Sequence, residues 1–131
     1  MNRLKAILSA KGLGLVLAGL LAWAAPATIS AAHAHSVLVS SDPKIGETVN
    51  GGARDMVLVF DSRVDPQRSR IFVTYPDDTR HVLKPTLGKT LGTLVVHVDQ
   101  LPAGTVFLNY EVLSVDGHIA RGVVKFTVAA Q

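Results

Sequence analysis

The chain is 131 residues long and has no cysteine, which suggests one domain and excludes both a disulfide framework and a thiolate metal site. Apolar residues make up 48% and charged residues 18%, a composition that packs a core and does not match a disordered tail. The net charge of +3 belongs to the leader: Arg3, Lys5 and Lys11 fall in a first stretch of 34 residues without any acid, and the remainder balances ten basic against ten acidic side chains. With no basic cluster left after the leader, no nucleic-acid partner is expected.

In chain order, the first predicted element is a secretion signal. The three basic residues form a positive n-region, and residues 12–25 (GLGLVLAGLLAWAA) are an uninterrupted apolar run of 14 residues. That is the size of a signal h-region and short of the roughly 20 residues that span a bilayer. Pro26 breaks any helix, and small residues follow for a peptidase. A signal peptide over residues 1–34, cleaved on export to the periplasm, and a domain over residues 35–131 are expected. Two cuts satisfy the small-x-small rule. One after Ala34 makes His35 the first residue; one after Ala32 makes His33 first and His35 third. An N-terminal histidine offers an amine and an imidazole as a chelate for Cu(II) or Ni(II). A histidine in third place would bind instead through deprotonated backbone amides.

The domain reads as short apolar strands separated by turn residues. Val37 to Val39, Met56 to Phe60, Ile71 to Tyr75, Arg80 to Leu83, Leu94 to Val98, Thr105 to Leu113 and Val123 to Val128 make about seven strands. Alternation assigns the inward faces: Leu58 with Phe60; Val106, Leu108, Tyr110 and Val112; Val124, Phe126 and Val128. No segment after the leader carries a helical period. The expected fold is all-β, an immunoglobulin-like (cupredoxin-like Greek-key) β-sandwich.

The candidate chemistry lies at both ends of this domain. Asp116-Gly117-His118 falls between the last two strands, at one end of the sandwich. A one-residue spacer in an extended segment would point both side chains the same way, so that they address one ion. The same spacing also arises in turns where Asp and Gly serve only backbone geometry. His81 and His97 read as solvent-facing or hydrogen-bonded strand residues. There is no Gly-x-Ser-x-Gly, no phosphate-cradling loop and no His-Glu-x-x-His, so ordinary hydrolase and nucleotide chemistry have no support.

The run from His35 to Pro43 (HSVLVSSDP) resembles the mature start of CopC-type periplasmic copper-binding proteins. Leu58-Val59-Phe60 resembles the strand that leads to that family's site, and Leu101 to Thr105 (LPAGT) its turn before the penultimate strand. Residues 112–118 (VLSVDGH), with Gly122 and Phe126 to Val128, resemble its ending, where Ser-x-Asp-x-His precedes the final strand. The resemblance runs colinearly from residue 35 to residue 129. It implies a single Cu(II) site built from the amine and imidazole of His35, the imidazole of His118 and the carboxylate of Asp116. It also favours cleavage before His35, the cut that sets the first residue at the family's distance from Pro43. The role implied is sequestration or carriage of copper in homeostasis or resistance, by a monomer, with handover to a CopD-type membrane transporter, and no enzymatic activity.

This chain departs from the family in three places. Ser62 stands where many members have an acidic residue, leaving open whether Asp61 or Asp65 replaces it. Tyr110 stands where the family has Trp. Met56 is the only methionine after the leader, so a thioether Cu(I) site is not expected. Two rival readings make different demands. A copper monooxygenase-like enzyme with an N-terminal His chelate would need an open coordination position and exposed aromatics. An envelope interaction module without metal would make both histidines coincidental.

Overall fold

Period-two alternation of side chains organises the long strands, and the apolar half of each alternation meets in one core. The computed structural model describes residues 36–131; the signal peptide expected over residues 1–34 and the candidate ligand His35 lie outside the described residues. The described residues form nine strands and no helix: β1 Leu38–Asp42, β2 Thr48–Val49, β3 Arg54–Phe60, β4 Val64–Thr74, β5 Arg80–Leu83, β6 Thr86–Leu87, β7 Thr93–Val98, β8 Gly104–Ser114 and β9 Ile119–Val128. They build two sheets, ordered β1-β3-β7-β6 and β2-β9-β8-β4-β5. Pairing is antiparallel except between β2 and β9, and the β1–β2, β2–β3, β3–β4, β5–β6 and β7–β8 links cross between the sheets, as in a Greek-key sandwich.

Met56, Leu58 and Leu94 of one sheet and Ile71, Val73, Val106, Leu108, Val112 and Val124 of the other are all fully buried. Each such side chain contributes about 1.5–3 kcal/mol of transfer free energy, the main stabilisation available without a disulfide. Tyr110 is half-buried and meets Phe60 edge to face, with ring centroids 5.5 Å apart. Its cross-strand partner is Gly122, where a Cβ would collide with the tyrosine ring and hydroxyl.

All seven expected strands are present. The two additional ones, β2 and β6, are two residues long, too short to show alternation. β4 starts at Val64 rather than at Ile71, because the polar run through Pro66 hides a bulge between Asp65 and Arg70. Side chains satisfy that bulge: Asp65 Oδ1 accepts the amides of Gln67 at 2.9 Å and Arg68 at 3.2 Å, and Ser69 Oγ accepts the Leu113 amide at 3.1 Å.

The register decides which segments share an end. Leu38 faces Phe60, Val59 faces Thr93, Val64 faces Ser114 and Leu113 faces Ile119. The start of β1, the β3–β4 link, the start of β7 and the β8–β9 turn therefore lie together at one end of the sandwich.

Candidate metal centre

The β8–β9 turn is built on hydrogen bonds that close it tightly. The Ser114 amide donates to His118 O at 2.8 Å and the Gly117 amide to Ser114 O at 3.0 Å, a three-residue hairpin loop. Gly117 has φ +92°, the left-handed conformation that such a loop needs before the second strand resumes. The juxtaposition of Asp116 and His118 thus comes from a closed turn, not from the extended spacer expected from the sequence.

Within the turn, His118 Nδ1 lies 3.2 Å from Asp116 Oδ2. Asp116 Oδ1 accepts the His118 amide at 3.3 Å and the Ser114 hydroxyl, which is itself buried. The Ser114 hydroxyl and the His118 amide, with the nearby imidazole, hold the Asp116 carboxyl below its ordinary pKa. The carboxylate is therefore anionic at any pH where imidazole is a competent ligand, and its bond to the ring nitrogen fixes how the imidazole is presented. An oxygen donor beside a nitrogen donor suits a first-row divalent ion.

Two donors are fewer than such an ion takes, and the described residues contain no group of three or more His, Cys, Asp or Glu able to hold a metal. The third expected contributor, His35, precedes the first described residue. That residue, Ser36, is 5% exposed, and its hydroxyl is hydrogen-bonded to Ser62 in the β3–β4 link. Val37 donates its amide to Asp61 Oδ1 at 2.8 Å, and Arg63 O of the same link accepts the Val115 amide at 3.0 Å. The described start of the domain and the Asp116–His118 turn are thus bonded to one short link.

The other sequence candidates have different surroundings. His97 Nδ1 lies 2.6 Å from Asp55 Oδ1 on the neighbouring strand, and its Nε2 lies 3.6 Å from Asp99. His81 packs beside Tyr75, ring centroids 5.1 Å apart. Asp65 is engaged in the β4 bulge and Asp61 in binding the Val37 amide. Met56 is fully buried in the core. Sequence reasoning missed the roles of Ser36, Asp61, Ser62 and Ser114; the only signal for Ser114 was its place in the VLSVDGH run.

The fold and site define a cysteine-free Greek-key sandwich with an acid–imidazole turn beside the start of its first strand. The CopC domain family model matches residues 38–129, and the chain belongs to that family. CopC from Methylosinus trichosporium OB3b is similar at 28% identity, covering 72% of this chain and 94% of its own, with a TM-score of 0.68. PcoC from Escherichia coli, described as a methionine-rich copper resistance protein, is similar at 26% identity, covering 72% of this chain and 99% of its own, with a TM-score of 0.60. No curated protein matches the chain. In contrast to that methionine-rich relative, this chain has two methionines, Met1 and Met56.

Proposed function

We propose that this protein is a periplasmic Cu(II)-binding protein of copper homeostasis or resistance. Residues 1–34 are removed on export, and the domain from residue 35 binds one Cu(II) through the amine and imidazole of His35, the imidazole of His118 and the carboxylate of Asp116. The observation that carries this reading is the bonding of the start of β1 and of the Asp116–His118 turn to the same β3–β4 link, in a chain of the CopC family. Three nitrogens and one carboxylate oxygen match the tetragonal preference of Cu(II), which heads the divalent affinity order. The protein acts as a carrier and not as an enzyme: it sequesters the ion as a monomer and passes it to a CopD-type membrane transporter.

Copper titration of the exported protein, followed by electron paramagnetic resonance, tests the site. Three-nitrogen hyperfine structure is expected, and a spectrum with one nitrogen or none would refute it. The mass of the exported protein should correspond to a chain that begins at His35, since one extra residue removes the amine from the chelate. Protons compete with copper for the amine and imidazole nitrogens, which must be deprotonated to bind, so affinity falls steeply as pH drops below neutrality. An affinity that stays flat from about pH 7 to about pH 5 counts against these ligands.

A further inference from the structure

A chain terminus is ordinarily poorly ordered unless something ties it down. In the processed chain proposed above, Ser36 and Val37 would adjoin the terminus, and both are tied down. Past the Leu38–Phe60 pair, where regular β1–β3 pairing ends, the same register continues for two more residues using side chains. Val37 and Asp61 exchange two bonds: the Asp61 amide donates to Val37 O at 3.0 Å, and the Val37 amide donates to Asp61 Oδ1 at 2.8 Å. Ser36 and Ser62 then pair through their hydroxyls, which leaves Ser36 buried although it is polar. The next residue of the link, Arg63, accepts the amide of Val115, the neighbour of Asp116. The link is held further by the Val64 amide, which donates to Leu91 O at 3.0 Å.

We propose that Asp61 and Ser62 are positioning residues: together they clasp Ser36 and Val37, fix the point from which the preceding residue departs, and so present its amine and imidazole to the Asp116–His118 turn. Arg63, the next residue of the same link, is bonded through its carbonyl to the Val115 amide of that turn. The ordering of the first residue is then met on folding and not on metal binding, which tightens the complex without any direct contact between the clasp and the ion. It also gives Asp61 a task other than ligation. This inference rests on the copper reading above.

The test uses the exported protein beginning at His35, with Asp61→Ala and Ser62→Ala combined, and the conservative pair Asp61→Asn and Ser62→Thr, which keeps the acceptor and the hydroxyl. In the copper-free protein, the Val37 amide should exchange with solvent markedly faster in the alanine pair, and the thermal unfolding midpoint should fall by several degrees, the scale of two net hydrogen bonds. With Cu(II) added, dissociation constants should rise about tenfold in the alanine pair, the scale of two net hydrogen bonds. Its paramagnetic resonance spectrum should resolve into more than one species, and the conservative pair should restore the single wild-type spectrum. An alanine pair that binds copper as wild type does, with one spectrum, overturns the clasp and leaves the copper site standing. Wild-type protein without three-nitrogen structure overturns the copper reading, and the clasp's purpose with it. Should the alanine pair fail to fold, Ser62→Ala alone carries the comparison, with about a threefold rise expected for one bond.

Discussion

Two histidine–aspartate pairs occupy the described domain, and they differ in how they are built. His97 is the penultimate residue of β7, bracketed by Asp55 across the strand pair and by Asp99 just beyond the strand, so each ring nitrogen faces a carboxylate. All three groups are well exposed, and the His97–Asp55 contact is an ordinary cross-strand hydrogen bond. His118 and Asp116 belong to one closed turn, tied by a buried serine, at the end where β1 begins. A histidine beside a carboxylate is therefore uninformative alone. What distinguishes the second pair is a turn that fixes it and that shares the β3–β4 link with the residues just before β1.

The largest expected effect separates the two pairs directly. His118→Ala should weaken Cu(II) binding by at least about 100-fold and abolish the three-nitrogen spectrum, because a ligand costs no less than the supporting groups that orient one. His97→Ala should leave titration and spectrum unchanged; equal losses in the two variants would erase the distinction. A smaller effect is expected when the turn is perturbed with its donors intact. Gly117→Ala meets no neighbouring atom but must hold a positive φ, which costs about 1 kcal/mol, measured by denaturant unfolding of the copper-free protein. The same substitution should weaken copper binding, which no backbone change near His97 would do.

Acid titration sharpens the comparison further. The Asp116 carboxyl is held below its ordinary pKa by the Ser114 hydroxyl and the His118 amide. Its ionised form therefore adds stability that is fully present above the unfolded carboxylate value, near 3.9, and is lost as pH falls through the lower folded value. The stability difference between wild type and Asp116→Asn should shrink as pH falls below about 4 in the copper-free protein. A difference that grew over that acid range would contradict that sign. The smallest effect belongs to the exposed pair: Asp55→Ala should change stability by no more than about 1 kcal/mol, and added salt should reduce even that.

Much of the architecture was legible because strand signals are local. The alternation in residues 105–112 identifies an inward face whose Val106, Leu108 and Val112 are all fully buried, and turn residues bound the other strands. The start of β4 was not legible, since a bulge satisfied by Asp65 and Ser69 looks in sequence like a polar loop around a proline. At the site, the sequence offers two origins for the proximity of Asp116 and His118, an extended i, i+2 relation and a turn set by Asp and Gly, and the structure has the turn, closed by a glycine in the left-handed region. His97 was expected to be hydrogen-bonded or solvent-facing, and it is both.

By itself, the amino-acid order determined what short-range periodicity and composition can encode: a cysteine-free all-β domain, its inward faces, and a CopC-like set of motifs in sequence order. Only the tertiary structure decided that residues 36–37, 61–63 and 114–118 gather at one end, since these segments are far apart along the chain and are joined partly through backbone amides and carbonyls that every residue carries and partly through Ser36, Asp61 and Ser62 side chains. The backbone bonds leave no mark in side-chain pattern, and serines and aspartates are too common on surfaces for the others to stand out. Whether Ser62 is a departure from a family motif or one half of a clasp depends on its neighbour in space, Ser36, and the register of two sheet strands sets that neighbour.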